Sequence, residues 1–485
     1  MKSSSVLRLL VLGVTGNVSI AMAQSPGTFT PTGSMSTPRV VHTATLLPDG
    51  RVLIAGGIAT SAASPLASAE LYDTSTRTFA ATGSMATARF GHTATLLPDG
   101  RVLIAGGNAG TGAELYDPST GTFTATGNMI MAGGSITAGD GSAATLLADG
   151  RVLIAHDRTG PLPAAAEVYD PVAGTFSATG DQLVIWFGDQ KATLLPDGRV
   201  LVVACCTAEQ LYDPASGAFS LTGATTSIQA DGFAAALLMN GKVLLSGGYA
   251  EDGALGHPGT TGAELYDPSI GAFAGTGNMT TGRFGHTATL LGDGAVLIAG
   301  SQQPVFLNAA IASAELYDPA AGTFSRTGDM TTGRFLQTAT LLPDGTVLIA
   351  GGRGPSDDVL ASAELYTPQL LAPAPALFSL SGDGTGQGAI WHADTGKIAS
   401  SANPATAGDV LSMYTTSLFE GGVIPPQAAI GGQLAEILFF GDAPGYPGYY
   451  QVNFRMPSGV APGPAVSVRL TYIGRSSNAV TIGVQ

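Results

Sequence analysis

Charge, cysteine and long apolar runs are all scarce in this chain. Charged residues make up 11% of its 485 residues and sum to −15, with no basic run anywhere. The electrostatic footprint of nucleic-acid binding is therefore missing, and no nucleic-acid partner is expected. The two cysteines, Cys205 and Cys206, are sequence neighbours. They cannot staple a fold together, so stability has to come from a core. No segment reaches the roughly 20 apolar residues of a membrane span. GxSxG, HExxH and P-loop motifs are absent, as is a GxGxxG opening a helix after a strand.

What the chain has instead is repetition. A run close to TATLLPDGRVLIAGG, then AELYD, then a phenylalanine seven residues after the tyrosine, recurs along most of its length. The Asp-Gly or Asn-Gly turns end at Gly50, Gly100, Gly150, Gly198, Gly241, Gly294 and Gly345, spaced by 43 to 53 residues. That is the length of one four-stranded propeller blade, and the expected fold is all-β, a seven-bladed propeller. TATLLP and RVLIAG read as strands joined by a two-residue type I′ turn, AELYD as the third strand and TFxxTG as the fourth.

The ends of the array indicate how the ring shuts. Tyr72, Tyr116, Tyr169, Tyr212, Tyr266 and Tyr317 have their partners in Phe79, Phe123, Phe176, Phe219, Phe273 and Phe324, but Tyr366 is followed at that distance by Pro373. Phe29, in TFTPTGSM, has no tyrosine before it. Residues 27–35 are thus expected to supply the missing outer strand of the last blade, within a propeller spanning 27–367.

An apolar strand ending in Gly-Gly, followed by a spaced tyrosine and a large aromatic, resembles the kelch repeat of galactose oxidase-type propellers. Gly56-Gly57, Gly106-Gly107, Gly247-Gly248 and Gly351-Gly352 carry the match, with phenylalanine where the kelch pattern usually has tryptophan. The resemblance implies the propeller. For activity it implies a copper-radical oxidase, whose site needs two tyrosines, two histidines and a cysteine cross-linked to one tyrosine. Here only Tyr249 lies on a propeller loop, and no residue of that site transfers position by position.

Outside the ring, Lys2 and Arg8 precede an apolar stretch and Ala21-Met22-Ala23, the layout of a signal peptide over 1–23. An exported protein, extracellular or periplasmic and monomeric, is expected. Residues 368–386 read as a Pro- and Gly-rich linker, and 387–485 as an Ig-like β-sandwich of short strands. The pattern from NPATAGD to SSNAVTI also resembles a C-terminal domain of exported acidobacterial proteins, a family with no activity to carry over.

In each blade the hairpin turns keep their length. The loops from the diglycine position to the Glu of AELYD hold 12, 6, 9, 4, 15, 13 and 11 residues. Variable loops on a constant scaffold mark the candidate ligand face. Arg39, Arg89, Arg283 and Arg334 recur at one position of that face in blades 1, 2, 6 and 7, with Gly139, Phe187 and Ala230 replacing them in blades 3 to 5. Repeated Arg, His and Glu are read either as inter-blade ion pairs and hydrogen bonds or as an arc favouring an acidic ligand. The non-repeating Trp186, Phe187, His156, Asp157, Tyr249 and His257 fall on the same face of blades 3 to 5. The expected function is binding or scaffolding, with a glycan or protein ligand, no catalytic residue, no metal and no cofactor. The alternative is a copper-dependent oxidase or other polysaccharide-acting enzyme using His156, Asp157, Tyr249 and His257.

Overall fold

The computed structural model describes residues 27–60, 64–131, 142–156, 166–183, 190–204, 209–226, 230–250, 259–302, 310–369, 372–419 and 422–485. The segment expected as a signal peptide lies outside them. Seven four-stranded antiparallel sheets make a seven-bladed propeller. Blade 1 shows the pattern, with strands Thr43–Leu46, Val52–Ala55, Ala69–Asp73 and Thr78–Ala81.

The turn between the first two strands differs from the expected two-residue type I′ hairpin. Leu47 N–H donates to Arg51 O at 2.8 Å and Gly50 N–H to Leu47 O at 2.9 Å, and of the turn residues only Gly50 has positive φ, at 89°. This is a type I turn followed by a left-handed glycine. Pro48 sets the φ that a type I turn needs at its second residue, and only the glycine has to enter the left-handed region. The Asp49 carboxylate then accepts the Arg51 N–H at 3.0 Å.

Blades are held together by what lies between them. At the first seam Leu47, Leu53, Ala55, Ala69 and Leu71 of blade 1 meet Met85, Val102, Ile104 and Tyr116 of blade 2. Each repeat tyrosine lies 4.8 to 5.0 Å from its phenylalanine. At six seams its hydroxyl bonds a threonine of the preceding blade at 2.8 or 2.9 Å, as Thr82 bonds Tyr116. Because both faces of each sheet are covered, all four residues of Val52–Ala55 are buried.

The last blade takes its outer strand from the start of the chain. Thr28–Pro31 pairs antiparallel with Ala363–Thr367 in the register Phe29↔Tyr366. The two rings sit 4.8 Å apart at 51°, like the pairs formed within single blades.

The C-terminal domain is one eight-stranded antiparallel sheet curled around its own core, sandwich-like in form. The ten-residue strand Gln433–Asp442 belongs to both halves, pairing with Gln427–Ile430 on one side and Tyr450–Arg455 on the other, with a bulge between Ile437 and Phe439. Its core includes Leu411, Met413, Val452, Phe454, Leu470 and Ile482, together with Leu377 from the segment before it. The domain sits on the turn face of the propeller. Leu434 N–H donates to Pro98 O at 2.6 Å, and Val423 N–H to Met239 O at 3.1 Å. A cleft of about 730 Å³ remains there, lined by the self-paired Asp49–Arg51 and Asp99–Arg101 and by Gly432 and Arg469. Among the described residues, the domain's backbone bonds to the ring fall on this turn face, opposite the variable loops.

A chain beginning at Thr37 lacks the closing strand and uncovers Tyr366. Such a truncation should lose several of the roughly 5 to 15 kcal/mol that hold a typical domain folded. Thermal melting of the two forms measures this, and midpoints within a degree or two of each other would contradict closure by this strand.

Candidate functional site

The variable face is organised by a glutamate at the head of the third strand in six blades, with Gln210 in blade 4, and the partners of these groups divide the ring in two. In blade 1 the Glu70 carboxylate accepts the Ser36 N–H at 2.8 Å and the Arg39 guanidinium at 3.1 Å. Arg39 also donates to Gly56 O at 2.9 Å and Ser68 O at 2.8 Å. One side chain thus ties the entering loop to the ends of the second and third strands. Arg89–Glu114, Arg283–Glu315 and Arg334–Glu364 repeat the arrangement at 2.8 to 2.9 Å.

All four arginines are at most 1% exposed. Their guanidiniums are spent inside the fold and offer no free positive charge to a ligand. Burial lowers the Arg39, Arg283 and Arg334 pKa values, opposed by the adjacent glutamates. The repeated histidines are inter-blade groups. His42 reaches Thr338 at 3.1 Å, His92 reaches Thr43 at 3.0 Å and His286 reaches Ser246 at 3.0 Å. Desolvation, assisted by the neighbouring arginine charge, pushes all three down to about 3.

Blade 3 solves the same problem with different residues. His156 stands at the first glycine of the diglycine, where a Cβ on Gly56 would lie 2.5 Å from Arg89 O and 2.7 Å from the His92 ring. In the following blade Gln190 replaces that histidine and donates to His156 O at 3.0 Å. The imidazole Nε2 lies 3.0 Å from Glu167 Oε1, taking the place of the arginine that Gly139 removes, while Nδ1 meets Ser142 Oγ at 3.2 Å. Burial pushes Glu167 up, but the His156 bond and the Ile130 and Met131 N–H groups outweigh it and leave the carboxyl lowered.

Between blades 4 and 5 the core itself turns polar. At five other seams a third-strand alanine packs with a methionine of the next blade, as Ala69 does with Met85. Here Glu209 holds the alanine position and Thr225 the methionine position. Glu209 is fully buried and accepts from Ala204 N–H and Thr225 Oγ, each at 3.3 Å. Desolvation pushes it up to about 8, reinforced by the charge of Glu264. Glu264 accepts the N–H and the hydroxyl of Thr226, and alanine 230 stands at its arginine position. Aligning the repeats on methionine would have exposed this seam, since Gln182 and Thr225 are the residues that break the series Met35, Met85, Met129, Met279 and Met330.

Tyr249 lies on a short ribbon, Tyr249–Ala250 paired with Ala230–Asp231, and its ring meets Phe284 edge-on at 5.1 Å. It therefore packs over blades 5 and 6, apart from the His156–Glu167 pair in blade 3. Trp186, Phe187, Asp157, His257 and both cysteines lie outside the described residues.

The donors for a copper site do not converge among the described residues. His42, His92 and His286 occupy three different seams, His156 holds Glu167, and His392 lies in the C-terminal domain against Asn403 O at 3.2 Å. The seven repeat tyrosines are buried. No group of three or more His, Cys, Asp or Glu able to hold a metal occurs among the described residues.

No family model and no curated protein matches this chain. Among solved structures it is similar to a novel fungal alcohol oxidase with catalytic diversity among the AA5 family, in complex with copper. The identity is 18%, covering 95% of this chain and 100% of that one, with a TM-score of 0.62. A likeness at that identity is one of fold, the galactose oxidase-like propeller.

The Glu209 shift sets a pH dependence. Unfolded, the carboxyl loses its proton near 4.5, and folded near 8, so stability falls as pH rises between those values. The three buried histidines act in the opposite direction, but only from about 3 to 6.5. From pH 6.5 to 8 the wild type should therefore lose about 2 kcal/mol, at about 1.4 kcal/mol per unit. Glu209→Gln should abolish that slope in denaturant titrations. Parallel curves for the two proteins would show that Glu209 is ionised in the fold.

Proposed function

We propose that this chain is an exported binding module that recognises a glycan or protein ligand on the variable-loop face over blades 3 to 5. The rebuilt seam at Glu209 and Thr225 carries the proposal. Placing a carboxyl where the other seams hold an alanine, with no cation beside it among the described residues, weakens the propeller and returns no packing. Residues kept against stability are usually kept for a site. Blade 3, where His156 replaces an arginine, adjoins the same arc. Trp186 is proposed as the anchor by its residue type, and Phe187, Asp157 and His257 belong to the same arc of sequence. Export is proposed from the N-terminal sequence, and no helix among the described residues is long and apolar enough to cross a membrane.

A second reading, a copper-dependent oxidase or other polysaccharide-acting enzyme, is favoured by the propeller shared with the copper-bound fungal oxidase and by the raised carboxyl of Glu209. The scattered histidines weigh against the copper form of it. Elemental analysis separates the two: one copper per chain, lost on replacing Tyr249 or His257, would establish the second reading.

A glycan array supplies the ligand for the direct test. Trp186→Ala should weaken its binding by roughly 30-fold, the usual consequence of truncating a central aromatic anchor. Asp117→Ala, on the turn face, should bind normally. By contrast Arg283→Ala should act on folding, with a loss of roughly 3 to 5 kcal/mol from stranding Glu315. A Trp186→Ala variant that binds like wild type would exclude this arc as the site.

A further inference from the structure

Nothing in the propeller accounts for the outer face of the C-terminal sheet. Strands Ile390–His392, Val410–Thr415, Tyr450–Arg455 and Gln433–Asp442 lie side by side in that order. Leu411, Met413, Val452 and Phe454 point into the core. Alternation therefore turns Trp391, Ser412, Tyr414, Gln451 and Asn453 outward. The register places Trp391, Ser412, Asn453 and Phe439 in one row across four strands, with Tyr414, Gln451 and Gly441 in the next. From Trp391 to Phe439 the row spans three strand spacings, roughly 14 Å.

Aromatic rings border this row. The Trp391 and Tyr414 rings are 5.6 Å apart, Tyr414 and Tyr446 5.9 Å, and Tyr446 and Phe439 are 57% and 45% exposed. Between them the sheet is polar and uncharged. Asn453 Oδ1 accepts from Ser412 Oγ at 2.8 Å and from Gln451 Nε2 at 2.9 Å, and Gln451 Nε2 also donates to Ser412 Oγ at 3.2 Å. These bonds orient both amides and leave Asn453 Nδ2 as a donor and Gln451 Oε1 as an acceptor, neither with a protein partner among the described residues. The charges at the end of the face, Arg455 and Glu436, neutralise each other at 2.8 Å.

We infer that this face is a binding platform for a neutral saccharide, distinct from the variable face of the propeller. A pyranose ring is apolar on its faces and hydroxylated at its edge. The exposed rings stack on the first, and the fixed donor and acceptor meet adjacent hydroxyls on the second. With no uncompensated charge on the platform, a neutral sugar matches it and an acidic one does not. A protein interface of this size would be apolar at its centre and polar at its rim, the reverse of the arrangement here.

Native gels cast with galactomannan, xyloglucan or mixed-linkage β-glucan, and with polygalacturonate as the acidic comparison, test the platform on the full chain. The wild type should be retarded in at least one neutral gel. Tyr446→Ala and Asn453→Ala should each weaken that affinity tenfold or more with the melting temperature unchanged, while Trp186→Ala leaves it intact. Absence of retardation in every neutral gel, or retardation by polygalacturonate alone, would overturn the inference. So would retardation that survives the Tyr446→Ala/Asn453→Ala double variant, and loss on Trp186→Ala alone would move saccharide binding to the propeller. Concentration-dependent self-association abolished by Tyr446→Ala, without retardation in any gel, would reassign the face to protein contact.

Discussion

A carboxylate buried at the head of a third strand has to be given donors, and the variable face of this propeller is built around supplying them. Backbone N–H groups of the entering loop provide part of the need, as Ser36 does for Glu70. A side chain provides the rest. Where it is arginine, the same group also caps strand-end carbonyls such as Gly56 O and Ser68 O, so loop, second strand and third strand move as one body. An ion pair so deeply buried is poor evidence of net stabilisation against an apolar core, but breaking it is severe. It therefore specifies geometry: four consecutive blades around the closure, 6, 7, 1 and 2, are locked alike.

Release from that constraint is what lets blades 3 to 5 differ. Losing one arginine calls for a replacement donor, which His156 supplies to Glu167, and Gln190 of the next blade in turn caps the His156 carbonyl. The seam at Glu209 goes further and exchanges an apolar contact for a carboxyl–hydroxyl one. Docking of the C-terminal domain completes the division of labour. It covers turns on the opposite face through Pro98 and Met239, where loop length does not vary.

Most of the propeller is legible in the chain because its determinants are local and repeated. The tyrosine–phenylalanine spacing reports a cross-strand ring contact, and the orphan Phe29 and the unpartnered Tyr366 are the traces of one such contact shared between the chain's two ends. The turn departs from the expected hairpin because an Asp-Gly pair suggests two left-handed residues, whereas Pro48 selects a type I turn with one. The candidate site was less legible. His156 and Gln190 each look like isolated departures in the sequence, and only the packing between blades shows the hydrogen bond that joins them. Glu209 was hidden by its place one residue before the repeat glutamate position. In the C-terminal domain the outward Tyr414 and the outward amides Gln451 and Asn453 stand in DVLSMYTTSL and YYQVNFRMP as period-two patterns. Which strands lie adjacent, and hence which rings share a row, is a long-range fact that those patterns do not contain.

Charge distribution then bears on what such a protein meets. The chain carries 20 cationic and 35 acidic residues, and four of each sign are withdrawn into the buried arginine–glutamate pairs. What remains outside is more one-sidedly acidic than the formal composition; the repeated arginines of the variable face are sealed, and Arg353 in the seventh blade's variable loop is paired with Asp357 at 2.9 Å. A polyanion approaching that surface finds repulsion at long range and no exposed arginine arc at short range. Uncharged polyols and basic protein surfaces face neither obstacle. The acidic exterior and the uncharged amide row on the C-terminal sheet thus favour the same kind of neutral ligand, for independent electrostatic reasons.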